Sequence, residues 1–291
     1  MMPLFRPHEY HRPNDLREAV WLLSSSGGTR VIAGGTDLLV EKPAEVECLI
    51  DILNLGLDYI RKEKDGIHIG AATTLDSIES SAVLSSKPYS VVSEAAGMIA
   101  TPAVRNMATI SGNICNASPA ADLPLALMVL DATVKVVGLS GSKIVLIGDF
   151  FKDVNITILS EDELLAEVHV PLHSEHSGAA FMKLRHHQTS VDIAIVNVAV
   201  RLTCSGNVCE DARIALGAVA KTPVYAKKAE RLLVGNKMDE ELIQRAAEAA
   251  SEEAEPIDDV RASAAYRKRM VAVLVRRALE VSLRRCGAWQ K

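Results

Sequence analysis

The sequence has no Cys-x-x-Cys pair, no Gly-x-Gly-x-x-Gly, no P-loop lysine and no excess of positive charge. Each absence removes a class of function. The missing glycine fingerprint and P-loop argue against the usual dinucleotide and ATP loops. Cysteines are few: Cys48, Cys115, Cys204, Cys209 and Cys286, an odd and scattered set. They do not suggest a disulfide scaffold, and no four of them group as a zinc or iron–sulfur site requires. They read as small apolar residues in a reducing cytoplasm. No apolar run approaches the roughly 20 residues of a spanning helix. The first residues lack the charged-then-apolar order of a secretory signal. Gly 17 and Pro 11 in 291 residues are too few for a collagen-like or low-complexity chain. A net charge of −5 argues against a basic nucleic-acid binder. No internal repeat is visible.

What is present suits a globular protein with ample core: 48% hydrophobic and 24% charged residues. A domain averages about 150 residues, so the length predicts roughly two. A helix is expected over Asn14–Leu23, where Leu16, Ala19, Val20 and Leu23 share a face. Short strands are expected at Arg30–Ala33 and Cys48–Ile52, and another at Gly66–Gly70. Thr74 is placed to cap a short helix, and Tyr89–Ala100 reads as helical up to Thr101-Pro102. An apolar segment follows at Leu123–Leu130, then strands at Ala132–Val137, Lys143–Ile147 and Glu163–Val170. The polar run His173–Gly178 reads as a linker. Beyond it come three strand-like runs, Ala179–Leu184, Asp192–Cys204 and Ala212–Val219. Helices are expected at 226–233, 240–254 and 263–283. Strands followed by helices predict an α+β domain.

Two segments carry the chemistry. In Val31-Ile32-Ala33-Gly34-Gly35-Thr36-Asp37-Leu38 a buried strand runs into paired glycines, a hydroxyl and a carboxylate. Glycines there permit positive φ and close backbone approach, and successive N–H groups can form an anion nest. A tight turn with no ligand explains the same residues. The second segment, Ala108 to Asp122 (ATISGNICNASPAAD), is rich in small hydrogen-bonding residues and has no positive charge. That composition suits a neutral polar ligand surface, or an ordinary loop.

Taken together, the two segments resemble the FAD-binding medium subunit of the molybdenum hydroxylases, the xanthine dehydrogenase and aerobic carbon monoxide dehydrogenase family. The resemblance extends to Tyr10-x-x-Pro13, Arg105-Asn106, the Asp149-Phe150 turn, Lys183, Asp192-Ile193-Ala194 and Tyr266-Arg267, nearly the whole chain. It implies an α+β protein. A two-subdomain FAD-binding fold of the vanillyl-alcohol-oxidase type is expected over 1–172, with subdomains at about 1–58 and 59–172. A C-terminal α+β domain with a three-stranded sheet and helices is expected over 178–291.

The resemblance also implies a site. The Ala33–Asp37 turn is expected to wrap the FAD pyrophosphate with backbone N–H groups. Val31, Ile32 and Leu38 flank that turn. Ala108, Thr109, Gly112, Asn113, Ser118 and Asp122 are expected to contact flavin, ribityl or phosphate groups, Asp122 as an acceptor from hydroxyls. Ile99, Leu165 and Lys183 match positions near the cofactor, the last two at its isoalloxazine end, where a positive Lys183 would stabilise reduced flavin. Ser111-Gly112 departs from the family's two glycines, and no cysteine-rich inserted loop is present. No catalytic residue and no metal ligand is expected in this chain; adjacent His186 and His187 would point to opposite faces of a strand.

The implied function is electron transfer in a cytoplasmic, multi-subunit molybdenum hydroxylase with no membrane span. A large subunit would carry the molybdopterin cofactor and a small one the [2Fe-2S] clusters. FAD, bound noncovalently, would pass electrons to NAD, a quinone or another acceptor. The family implies a dimer of heterotrimers. Two alternatives stand beside this reading: a free-standing FAD-dependent oxidoreductase of the same fold, and a cofactor-free scaffold subunit. The basic residues of the last helix, Arg267 to Arg285, read as a solvated face or subunit contact.

Overall fold

The computed structural model describes residues 5–25, 27–187 and 192–288. The chain opens with β1 (Glu9–His11), α1 (Leu16–Ser25), β2 (Thr29–Ile32), α2 (Leu38–Glu41) and β3 (Cys48–Asp51). These three strands form a parallel sheet in the order β1-β3-β2. Helix α1 buries Ala19, Val20 and Leu23, the face its 3.6-residue periodicity dictates.

The next part comprises β4 (Ile60–Lys62), β5 (Gly66–Gly70), α3 (Leu75–Glu79), α4 (Ser90–Gly97), α5 (Pro102–Arg105), α6 (Ile110–Cys115), α7 (Leu123–Val129), β6 (Thr133–Gly138), β7 (Gly141–Leu146), β8 (Phe151–Asp153), β9 (Ile156–Thr157) and β10 (Leu164–Pro171). Five of the strands make an antiparallel sheet in the order β4-β5-β10-β6-β7. Its inner face, with Ile67, Ile69, Val134, Val168 and Val170, packs on α3, α4 and α7. Part of its outer face, Leu164 and Ala166, packs on Val20, Leu23 and Ile50 of the first part. A bulge between Leu165 and Glu167 marks where that contact ends.

The last part holds β11 (Ser177–Leu184), β12 (Val196–Ser205), β13 (Val208–Gly217), β14 (Val224–Tyr225), α8 (Lys227–Leu233), α9 (Glu240–Glu253) and α10 (Ala264–Arg285). The antiparallel sheet runs β11-β12-β13-β14. It has four strands where the sequence predicts three; β14 spans two residues, too short for any periodicity. Along β12, Val196, Val198, Val200 and Leu202 face the helices, while Ala199 joins the core of the preceding part. The sheet is therefore covered on both faces.

Other expectations are adjusted in the same way. The apolar segment at Leu123–Leu130 forms helix α7 up to Val129, and all seven residues of α7 are buried, so no polar face betrays its period. Thr101-Pro102 starts a helix instead of ending one: α4 stops at Gly97, and the Thr101 hydroxyl accepts from Val104 N at the head of α5. Ser177 and Gly178 belong to β11 rather than to a linker. Regular pairing of β12 begins at Val196, not Asp192. Arg267 does not lie on a solvated face. It is 2% exposed and donates to the carbonyls of Ile195 and Ala218 and to Asp259.

Candidate functional site

A cleft of about 780 Å³ opens between the parallel sheet and the five-stranded sheet, within the size range of small-molecule and cofactor pockets. One wall is β2 and the loop into α2. The floor is the 99–116 region. The β8–β9 hairpin and residues 159–165 close the other side.

Two glycines shape the first wall. A Cβ on Gly34 would stand 1.8 Å from the Met107 carbonyl oxygen. The first loop therefore lies directly against the backbone of the second, which only a residue without a side chain allows. Gly35 has φ 66°, a left-handed conformation. Beyond β2 the backbone N–H groups of Ala33, Gly34, Gly35, Thr36, Asp37 and Leu38 donate to no described residue. A run of unpaired amides beside a cleft is a ready set of donors.

The second loop is pinned from below. Ile110 N donates to Thr73 O and Ser111 N to Ala71 O. Thr109 caps α6, its hydroxyl accepting from Gly112 N at 3.2 Å. The buried Asn113 Oδ1 has no hydrogen-bond partner, an acceptor left free at the cleft.

The cleft's charged lining comprises Arg30 and the acids Asp37, Glu41, Glu45, Glu161 and Glu163. Glu163 is neutralised by Lys143 at 2.6 Å, and desolvation raises the Asp37 carboxyl above its ordinary range. Burial pushes the Cys115 thiol up to about 12, so it stands neutral. An anion here would find its donors in backbone amides.

Of the sequence-predicted residues, Val31 to Leu38, Ile99, Ala108, Thr109, Gly112, Asn113 and Leu165 line this one cleft. Ser118, Asp122 and Lys183 do not. Ser118 Oγ accepts from Ala120 N at 3.4 Å within its own loop. Asp122 and Lys183 form an ion pair at 2.5 Å with both side chains 4% exposed. Asn197 Nδ2 donates to the other Asp122 oxygen at 2.7 Å, and Lys183 Nζ also donates to Met98 O at 3.2 Å. Lys183 and Asn197 are cross-strand partners on β11 and β12. The pair thus fastens the C-terminal sheet to the loop before α7, and through Met98 it braces the cleft floor at Ile99. His186 and His187 also separate: His186 donates to Arg261 O, and the His187 ring meets Asp192.

The sequence reading passed over Asn155, Thr157 and Ser160, which line the cleft. Asn155 sits at φ 57° in the β8–β9 turn. Its backbone N donates to Ala117 O and its side chain to Asn116 O, so the hairpin is tied to the second loop. A Val-Asn pair between two short alternating runs was the available signal.

Comparison with known proteins agrees with this geometry. Residues 5–173 match the model of the FAD binding domain in molybdopterin dehydrogenase, and residues 179–281 match the CO dehydrogenase flavoprotein C-terminal domain. The carbon monoxide dehydrogenase medium chain of Afipia carboxidovorans is 35% identical over 277 residues, 94% of this chain and 95% of that one. The glyceraldehyde dehydrogenase medium chain of Sulfolobus acidocaldarius is 33% identical, over 93% and 96% of the two chains. A solved carbon monoxide dehydrogenase from Hydrogenophaga pseudoflava, lacking the Mo-pyranopterin moiety of its molybdenum cofactor, superposes with TM-score 0.92 at 35% identity over 98% of this chain and 100% of that one. Among the described residues no helix is long and apolar enough to cross a membrane. Fold, cleft and both halves of the sequence place this chain in the family of FAD-binding medium subunits of the molybdenum hydroxylases.

Proposed function

We propose that the chain is the electron-transfer subunit of its complex. It holds FAD noncovalently between the iron–sulfur clusters of a small partner subunit and an acceptor such as NAD or a quinone. The electrons arise at the molybdenum cofactor of a large partner. Bound FAD supplies the exchange between one-electron clusters and two-electron acceptors.

The observation that carries this reading is the unpaired amide run from Ala33 to Leu38 in a cleft where, among the described residues, Arg30 is the single cationic side chain. These donors fit a pyrophosphate, whose charge they meet without lysine. Thr109, Gly112 and Asn113 supply the second arm, with Asn113 Oδ1 waiting for a hydroxyl or N–H donor. Val31, Ile32, Leu38, Ile99, Ala108 and Leu165 offer apolar surface that excludes water. Asp122 and Lys183 serve from behind, by holding the floor. The five free cysteines suit a reducing cytoplasm.

The test is an absorption spectrum of the purified chain before and after addition of FAD, with acid release of any bound flavin. The chain is then reconstituted with its large and small partners. The expected result is intact FAD released by acid, and flavin bleaching by substrate only when the small partner is present. A folded chain that ignores FAD, or bleaching without the iron–sulfur partner, overturns the reading.

A further inference from the structure

Outside the cleft, three side chains converge on the outer face of the five-stranded sheet. His68 on β5 and His169 on β10 are direct cross-strand partners, and their rings lie with centroids 4.6 Å apart. Asp65, in the turn before β5, stands over both. Its Oδ1 is 3.2 Å from His68 Nε2, and its Oδ2 is 3.8 Å from His169 Nε2. One ligand atom from each of the three lies within 4.8 Å of the others. With metal–ligand bonds of 2.0–2.1 Å, ligands of a tetrahedral zinc ion stand about 3.3 Å apart. The observed spacings bracket that value.

The surroundings are arranged as for ligands. Glu167 Oε1 lies 3.1 Å from His68 Nδ1. A carboxylate only accepts, so Nδ1 holds a proton toward Glu167 and, without a cation, Nε2 holds one toward Asp65; a cation would displace the Nε2 proton and leave Nδ1 fixed by Glu167. Tyr59 donates to the other Glu167 oxygen at 2.7 Å and holds that carboxylate in place. Gly66 makes room. A Cβ there would stand 2.6 Å from His169 Nε2 and 2.2 Å from the Val170 carbonyl oxygen. Access remains open, since the side chains of His68, His169 and Asp65 are 17%, 26% and 66% exposed.

We propose that Asp65, His68 and His169 form a binding site for a late first-row divalent cation, zinc in the first instance, with a fourth position left to water or an exogenous ligand. Two imidazoles and one carboxylate are a borderline donor set, which suits zinc, nickel or copper and does not suit magnesium or calcium. Without a cation, His169 Nε2 donates to the Asp65 carbonyl at 3.3 Å and His68 Nε2 to Asp65 Oδ1 at 3.2 Å; binding replaces both hydrogen bonds, the His169 proton moving to Nδ1 and the His68 Nε2 proton leaving to solvent. The ion would tie β5, β10 and the β4–β5 turn together at positions that do not line the cleft.

The experiment uses the full, FAD-loaded chain washed with chelator, with Zn2+ titrated by equilibrium dialysis and Co2+ as a spectroscopic substitute. Wild type is expected to take up one equivalent, to show the intense visible bands of tetrahedral Co2+, and to gain thermal stability on binding. His68→Ala and His169→Ala are expected to lose all three, whereas His186→Ala and His187→Ala retain them. Glu167→Gln weakens binding by about 10- to 100-fold, as loss of the group orienting a ligand does. Retained flavin content reports that each variant is folded. Should His68→Ala fail that check, Asp65→Asn and His169→Gln carry the test. A wild type that takes up no equivalent, or an equivalent that survives His169→Ala, overturns the site and leaves a charged His68 bridging Asp65 and Glu167.

Discussion

The cleft and the seam between the FAD-binding part and the C-terminal sheet are both built from polar residues, and they treat them in opposite ways. In the cleft, six consecutive amides and Asn113 Oδ1 are left without partners. In the seam, the charges are matched, and the polar atom left over, Asn197 Oδ1, is neutral. Lys183 meets Asp122, which also takes Asn197. Arg201 reaches Asp131, Asp211 and the Val129 carbonyl, and Arg213 grips the same two aspartates. Unpaired groups are tolerable where a ligand completes them; paired charges hold a shape. The contrast predicts that Asp122 and Lys183, already paired within the chain, hold the cleft floor and do not bind the ligand directly.

The largest effect is expected in the seam. Asp122→Ala leaves Lys183 buried without a counter-charge, a loss of about 3–5 kcal/mol in denaturant unfolding. Asp122→Ala/Lys183→Met should recover much of it, since an apolar pair of similar volume is often tolerated. If Asp122→Ala instead removes flavin with little change in stability, the carboxylate belongs to the site and the contrast collapses. Next comes Gly35→Val. A left-handed conformation costs an L-residue roughly 1–2 kcal/mol, and the added Cβ would sit 3.1 Å from Leu39 Cδ1. Flavin content should fall sharply while the apoprotein stays folded, as read by acid-released FAD against far-ultraviolet dichroism.

How far these arrangements can be read from the sequence follows from what each depends on. Helix α1 and strand β5 declare themselves by period and punctuation, and both flavin segments by composition together with family likeness. Strand β14 and helix α7 do not, because one is two residues long and the other apolar all round. The cleft residues Val31 to Leu38 are contiguous, so a local pattern can mark them. Asp122, Lys183 and Asn197 are separated by up to 75 positions, and their meeting is a property of packing alone. Asn155 escaped for the same reason, since its bonds to 116 and 117 cross 39 residues or nearly so.

A smaller effect separates binding from folding. Asn113 Oδ1 is buried and unpartnered, so Asn113→Ala removes no internal hydrogen bond through that atom. Stability should move by less than about 0.5 kcal/mol. FAD affinity should fall about 2- to 12-fold, the worth of one hydrogen bond, in a fluorescence titration. An unchanged affinity would mean that the orphaned oxygen does not face the ligand.

The seam's saturation with charge can be probed by adding one proton. His173 lies at the junction, its ring donating to Leu130 O at 2.9 Å and its backbone N donating to the Tyr89 hydroxyl. Burial lowers its pKa below the ordinary 6.5, and the nearby Arg201 guanidinium lowers it further; Asp131 and Asp211 oppose the shift. The folded chain therefore binds this proton less readily than the unfolded chain. The stability His173 contributes is fully present above pH 6.5. It declines as pH falls below that value and is gone once pH passes below the folded-state pKa. Unfolding midpoints across this window should drop more steeply for wild type than for His173→Gln. Arg201→Met, by removing the repulsive charge, should shrink the difference even as it lowers stability outright. If the two pH profiles run parallel, the histidine is not sensing the seam, and the matching of charges there is looser than its distances imply.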